Sequence, residues 1–503
     1  MSPPASKPTA DAPRTDAGPA PEVFAQRRSE VARQVGSDAL LIVAAGTEAP
    51  RNHDVDYEFR QASQFWWLTG FSEPDAVAVL APGHPDGDYQ LFVRPRDPER
   101  ETWDGYRAGV EGAQERFGAT RAYPVAELGK RLVGLAADRS RVLYRTGDRL
   151  DSEVLGLIGQ ARGLRERTGR NYPSSIVDPG SVLDELRLRK DAADLASLRR
   201  AGALAAEGHR EAMRVARPGL TESQVQGAME WVWRAGGSVR NGYPSIVASG
   251  HNACVLHYTE NAATLAEGDL VLIDAGCEVD QLSADITRTF PANGHYSGPQ
   301  RALYEVVLAA QHAALAEVVP GATIRSPHQA ARQVLAEGMV ALGLIPESVD
   351  NVLAMALDDE FFMHGTSHWL GLDVHDVGSY RTGGEHRALA PGMSLTIEPG
   401  IYVAPSKATV TFKLLERDRD AWAQRRLELG TEAAREAEQA ELNEAPELTH
   451  QVPEELLGLG IRIEDDVVVT GAGCEVLTDA VPTDSDEIEA LCADSPRWVV
   501  LPG

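Results

Sequence analysis

The chain has 503 residues, 43% hydrophobic and 24% charged, which is enough for two domains with substantial cores and excludes disorder throughout. Its 48 Lys and Arg face 75 Asp and Glu, a formal net charge of −27, which argues against nucleic acid or an anionic membrane as a partner. No run of about twenty apolar residues occurs, so no membrane span is expected.

Residues 1–21 are rich in Pro, Ala and small polar side chains and lack an apolar h-region, so a disordered tail is expected rather than a secretory signal. From 22 to 181, apolar runs such as ALLIVAAG, AVAVLAPG and YQLFVRP alternate with helical segments and predict a smaller α/β domain without a complete catalytic set. A second domain is expected over 182–503. It opens on LDELRLRKDAADLASLRRAGALAAEGHREAMRVARPG, whose Leu and Ala spacing predicts one long helix ended by Pro-Gly. Thr221 is a candidate N-cap for the next helix, and further helices at about 299–319 and 326–342 frame β-branched runs, giving an α+β domain. A charged stretch at about 406–455 looks inserted, and its Arg, Glu and Ala content predicts a solvated helical excursion without catalytic groups. The four cysteines, Cys254, Cys277, Cys474 and Cys492, show no CxxC pairing and suit buried thiols in a reducing compartment, hence a cytoplasmic location.

The chemistry-bearing residues cluster in this second domain. In DLVLIDAGCEVDQLSADITRTF, Asp274 ends an apolar run that reads as a buried strand, and Asp285 opens a second run eleven residues on, a hairpin-like return. Two turn aspartates would be the plain reading, but a carboxylate ending a buried strand needs a cation or several donors. FFMHGTSHWLGLDVHDVG then brings His364, His368 and His375 within twelve residues, in a chain with 13 histidines. HExxH is absent, because no Glu follows His364. Glu398 in SLTIEPGIYV and Glu464 in GIRIEDDVVVT both read as strand positions, with Arg462 on the Glu464 face as a candidate to orient it. Each residue alone has an ordinary structural explanation. Together, four carboxylates and one imidazole suit two divalent cations, and an oxygen-rich set without thiolate favours Mn²⁺ or a similar ion.

The ordered segments VLHYTEN, LVLIDAG, DITRTFP, FFMHGTSHWLGLDVHDVG, EPGIY and GIRIEDD resemble the aminopeptidase P family, and the likeness runs from YEFRQASQFWWLTGFSEPDAVAVL to the C-terminal EIEAL. The resemblance implies a pita-bread fold for the α+β catalytic domain and an N-terminal α/β domain serving assembly and the substrate entrance. It implies two Mn²⁺ per subunit, with Asp274 on one, His368 and Glu398 on the other, and Asp285 and Glu464 bridging. The implied substrates are peptides with an Xaa-Pro N-terminus, cleaved by attack of a hydroxide shared by the two ions, with Glu398 carrying the proton. A tertiary amide offers no N–H to grip, so other groups must hold the substrate. His257 and His375 are expected at the carbonyl oxygen or the substrate beyond it, and His364 beside the proline ring. Arg462 and Tyr402 are expected behind the ligands or at the substrate. Trp103 in ETWDGYR matches a family tryptophan that reaches a neighbouring subunit's site; its plain reading is an aromatic packed at a domain boundary. A homodimer or homotetramer follows from the same likeness. Prolidase, an Xaa-Pro dipeptidase, shares the five ligands, but Ser367 and Trp369 flanking His368 look closer to aminopeptidase P. A non-enzymatic binding module on this fold would show gaps at ligand positions, and none is missing.

Overall fold

The structure is a computed structural model that describes residues 18–499. Most of the tail expected over 1–21 lies outside the described residues; Pro21 already opens the helix Pro21–Val35, where proline suits the first turn. Packing divides the chain into two compact units, Met1–Arg187 and Leu188–Gly503.

The first unit is built on a six-stranded mixed sheet. Its strands run in the spatial order Arg121–Pro124, Tyr89–Val93, Val77–Leu80, Ala39–Ala44, Arg141–Leu143, Ser175–Val177. ALLIVA is buried at all six positions because it lies inside the sheet, antiparallel to Val77–Leu80 and parallel to Arg141–Leu143. Helices Leu128–Leu135 and Asp151–Thr168 cover it, closing a core of Leu40, Ile42, Val79, Leu132, Val142, Val154 and their neighbours. This is the expected α/β domain.

The long helix expected from the Leu and Ala spacing is two helices, Gly180–Leu188 at the end of the first unit and Ala192–Val215 in the second. The break falls where Asp191 turns its carboxylate onto the backbone N–H groups of Ala193 and Asp194, an N-cap that periodicity does not reveal. Thr221 caps Glu222–Ala235 with a full capping box completed by Gln224. Two helix pairs, Ala192–Val215 with Glu222–Ala235 and Gly298–Ala316 with Ser326–Ala341, pack against antiparallel sheets to give the α+β arrangement. One sheet joins Ile246–Ser249, Leu270–Asp274 and Thr287–Pro291; another joins Ser394–Ile397, Asp465–Val469 and Cys474–Val476; a ribbon pairs Gly400–Val403 with Leu459–Arg462. A single large core unites them, including Trp233, Phe290, Tyr304, Trp369 and Ile463.

The charged stretch forms the helices Arg419–Leu429 and Thr431–Glu444, packed on each other at the end of a ribbon that pairs Thr409–Lys413 with Glu447–Gln451. Arg425 and Glu441 bond across the helices at 2.8 Å, and Arg426 and Glu438 at 2.7 Å. Leu427 is 81% exposed. Among the described residues no helix is long and apolar enough to cross a membrane.

Candidate metal centre and its pocket

Asp274 ends its strand opposite Thr287, the first residue of the antiparallel partner strand. Asp285 does not open that strand as expected but lies two residues before it, after a small hairpin turned through Asp280 and Gln281, both at positive φ. The return is tight at Gly276, where a Cβ would sit 1.7 Å from the Ala284 carbonyl oxygen. Glu398 and Glu464 are likewise not within strands. Each occupies a two-residue break, Glu398 between Ser394–Ile397 and Gly400–Val403, Glu464 between Leu459–Arg462 and Asp465–Val469, where the chain passes from one sheet to the next. Glu464 reaches back through an isolated bridge to Thr287, so the two halves of the unit meet at these carboxylates.

His368 donates from Nδ1 to the Trp369 carbonyl (3.1 Å), which leaves Nε2 facing Asp285 Oδ2 at 3.5 Å and Glu398 Oε1 at 3.7 Å. One oxygen each of Asp285 and Glu464 and a ring nitrogen of His368 all lie within 4.8 Å of one another. Asp274, Asp285, His368, Glu398 and Glu464 line one cavity of about 520 Å³, together with His257, His364, His375 and Arg462. Tyr402 stands behind the wall, 1% exposed, with its hydroxyl 2.8 Å from His364 Nε2. His257 and His375 are exposed on the rim, and the His375 ring lies 4.1 Å from that of His368.

Arg462 differs from expectation. Its guanidinium does not orient Glu464 directly; it pairs with Asp274 and donates to the Tyr402 hydroxyl (2.9 Å) and to the Thr287 hydroxyl (3.0 Å). Thr287 in turn donates to Glu464 at 2.6 Å. The Arg462 side chain crosses from its ribbon to the sheet that carries Asp274 and Thr287, which alternation along one strand does not show. Trp103 is 86% exposed in the first unit, so the reading of a packed boundary aromatic fails.

Sequence reasoning missed Tyr243, whose buried hydroxyl hydrogen-bonds to both Asp274 (2.6 Å) and Asp285. Nothing in NGYPS marks it except the apolar strand that follows. It also missed Asp466, which accepts from the Asp285 N–H at 2.9 Å, although the acidic pair after Glu464 was visible.

The electrostatics are those of anions crowded in a low-dielectric place. Burial, with the charges of Asp285, Glu398 and Asp274, holds the Glu464 carboxyl well above the usual range. Burial likewise pushes Glu398 up to about 7, with His368 and Arg462 opposing. Asp274 is raised by burial and by Asp285 against the pull of Arg462. Burial lowers His368, but Asp285 and Glu398 override it and raise the imidazole to about 9. His364 is lowered to about 4, by burial first and then by Arg462. A cluster of carboxylates with one imidazole and one guanidinium lacks positive charge, and its oxygen-rich donors fit divalent cations.

The model of metallopeptidase family M24 matches residues 196–471, and that of the aminopeptidase P N-terminal domain matches 24–144. The Xaa-Pro aminopeptidase of Escherichia coli (strain K12) is 37% identical over 471 residues, 93% of this chain and 97% of that protein. The solved structure of Pseudomonas aeruginosa aminopeptidase PepP superposes with a TM-score of 0.83 at 42% identity, over 95% of this chain and 98% of that one. A zinc-substituted aminopeptidase P of E. coli in complex with product superposes with a TM-score of 0.82 at 36% identity, over 95% and 99% of the two chains.

Proposed function

Because the chain belongs to metallopeptidase family M24, in its aminopeptidase P group, we propose that it is a metal-dependent aminopeptidase that releases the N-terminal residue from peptides with proline in second place. The observation that carries this reading is the convergence of Asp274, Asp285, His368, Glu398 and Glu464 on one cavity whose wall also bears three further histidines or their partners. Likeness over nearly the full length of Xaa-Pro aminopeptidases, N-terminal domain included, favours this activity over prolidase.

We assign Asp274, Asp285, His368, Glu398 and Glu464 as ligands of two divalent cations, Mn²⁺ by the hardness of the donors. The pair would supply Lewis acidity and lower the pKa of a water toward neutrality. The chain's own groups do the rest. Glu398, at the cavity wall beside Asp285 and His368, takes a proton from the attacking water and returns it to the proline nitrogen. His257 and His375, exposed on the rim, donate to the carbonyl oxygen as it gains charge or hold the peptide beyond it. His364, pinned by Tyr402 and kept neutral at ordinary pH, offers an uncharged face to the proline ring. Arg462 donates to Asp274 Oδ2 and holds that carboxylate in place.

We further propose that the first unit serves assembly and shapes the entrance, with the exposed Trp103 reaching the cavity of a neighbouring copy in a homodimer or homotetramer. The unpaired cysteines are consistent with a reducing, cytoplasmic setting. The negative charge disfavours nucleic acid as a partner. The test is Mn²⁺-dependent release of the first residue from a short Xaa-Pro-Yaa peptide compared with an Xaa-Pro dipeptide, with Asp285→Ala as control. Exclusive cleavage of the dipeptide, or full activity in the control, overturns the reading.

A further inference from the structure

The segment between Ser249 and Ala263 carries Leu256, His257 and Thr259 into the cavity wall. Residues 256–260 lie outside helix and strand and Val255 is 54% exposed, so no ladder holds this stretch, and only Leu256 and Tyr258 pack, partly buried, against the small cluster of Ile246, Ala248, Ala253, Leu272 and Tyr402. Its polar anchor is one carboxylate. Glu222, the first residue of the helix Glu222–Ala235, is 0% exposed. Its Oε1 accepts from the Ser249 N–H and hydroxyl, both at 2.7 Å, and from Asn252 Nδ2 at 3.1 Å. Its Oε2 accepts from the Tyr258 hydroxyl at 2.9 Å and the Ala263 N–H at 2.8 Å.

Five donors on one buried carboxylate therefore clamp both ends of the segment and its middle, and the middle contact is made by the residue next to His257. Burial pushes the Glu222 carboxyl up, but the hydrogen bonds from Ser249, Asn252 and Ala263 outweigh it and keep it below the usual range. The helix N-terminus favours the same charge. A second constraint fixes where the clamp places the segment: a Cβ on Gly460 would lie 2.3 Å from the Ala253 carbonyl oxygen, so the near end rests directly on the strand that carries Arg462.

We propose that Glu222 is a positioning residue for the peptidase reaction, holding the His257 imidazole at the cavity wall through the Tyr258 hydroxyl. The inference rests on the aminopeptidase reading for its catalytic consequence, but its structural part does not.

The experiment uses the full-length Mn²⁺-loaded protein. Tyr258→Phe removes one O–H and leaves the ring. It should lower kcat for an Xaa-Pro-Yaa peptide by about ten- to a hundredfold, the worth of one hydrogen bond to a charged acceptor, with metal content unchanged. His257→Ala/Tyr258→Phe should then equal His257→Ala alone, because Tyr258 acts through His257. Glu222→Gln, which turns an acceptor toward the donors as an NH₂ group, should lose more. In parallel, in protein loaded with diamagnetic Zn²⁺ in place of Mn²⁺, histidines labelled at Cε1 report placement without turnover: the resonance missing in His257→Ala should shift or broaden in Tyr258→Phe, while that of the exposed His295 stays put. A multiplicative loss in the double variant, or an unmoved His257 resonance, overturns the proposal. A wild type that does not cleave the peptide while the resonance moves as expected overturns the aminopeptidase reading alone.

Discussion

Arg462 donates from Nη2 to Asp274 Oδ2 and reaches Glu464, two residues along its own chain, through the Thr287 hydroxyl. One guanidinium thus links carboxylates from opposite halves of the catalytic unit, and it does so while 4% exposed. Arg462→Met should lower kcat/KM for an Xaa-Pro-Yaa peptide by about ten- to a hundredfold and weaken metal retention on dialysis, the usual consequence of losing a partner behind a ligand. Arg462→Lys should recover little, because a single ammonium cannot reach Asp274, Thr287 and Tyr402 together. Activity and metal content of the two variants, measured side by side, check this; wild-type retention in the Met variant would contradict it.

The crowded carboxyls predict an unusual pH response for protein stripped of metal. The folded-state pKa of Glu398, about 7, is above its ordinary 4.5, so the folded state holds more protons between those values. Its contribution to stability is complete below about 4.5 and is lost as pH rises through about 7; Glu464 and Asp274, also raised, act in the same sense. Urea midpoints of chelator-treated protein should therefore fall between pH 5 and 8, and saturating Mn²⁺ should abolish that fall, since the cations make the charged carboxylates the favoured form. An identical pH slope with and without metal would sink the assignment.

His209 gives the opposite sign at a nearby place. It is 1% exposed, its Nε2 donates to the Ala275 carbonyl at 2.8 Å, its Nδ1 has no hydrogen-bond partner, and burial lowers its pKa to about 4. The unfolded chain binds the proton near pH 6.5, so stability present at neutral pH is lost as pH falls toward 4. At pH 5 the loss from this group is about 2 kcal/mol relative to pH 7. His209→Gln keeps a donor for Ala275 without a titrating ring. In metal-loaded protein its stability should decline less than wild type between pH 7 and 5; equal declines would show that the acid sensitivity lies elsewhere.

The residues legible in the sequence were those whose chemistry contradicts their surroundings: acids closing apolar runs and histidines gathered beside glycines. Asp274, Asp285, His368, Glu398 and Glu464 stand out this way, and so does the α/β start of the chain, because ALLIVAAG reads as a buried strand without any partner. What stayed hidden depends on partners distant in sequence. Tyr243 touches Asp285 from 42 residues away, and Lys190 meets Asp376 across 186. Glu398 and Glu464 were legible as unusual but not as sheet-crossing breaks, since a change of pairing partner leaves the local apolar pattern intact. The interrupted helix at Asp191 is similar: the cap competes with a periodicity that continues unbroken on both sides.

Lys190 and Asp376 form an ion pair at 2.7 Å with 2% and 1% of their side chains exposed, joining the segment before the helix Ala192–Val215 to the residue after His375. Lys190→Met breaks this buried ion pair and should cost about 3–5 kcal/mol of stability. Lys190→Met/Asp376→Leu should recover most of that loss, because an apolar pair leaves no unpaired charge. Gly371 has little room for adjustment, since a Cβ there would lie 2.1 Å from Asp376 Oδ2 and 2.7 Å from Lys190 Nζ. Chemical denaturation of the three proteins checks the cycle, and a double variant as unstable as the single one would show that packing, not charge, dominates the site.

The helical excursion separates from the catalytic core at a definable line. Val410 and Phe412, in the ribbon that supports it, are 4% and 3% exposed and belong to the core, whereas the helices beyond it bury chiefly against each other. Excising residues 418–444 and closing the ribbon with a short Gly-Asn turn leaves the Lys413–Glu447 pair and the strand register in place. Because no described residue of these helices lines the cavity, kcat/KM should stay within about twofold of wild type. Removing the ribbon as well should destabilise the unit, since two buried side chains leave the core, at about 1.5–3 kcal/mol each. Sedimentation of the excised protein tests whether the helices form a contact between subunits. An unchanged subunit number makes them a solvated appendage, and a changed one makes the exposed Leu427 and Leu429 the first residues to replace.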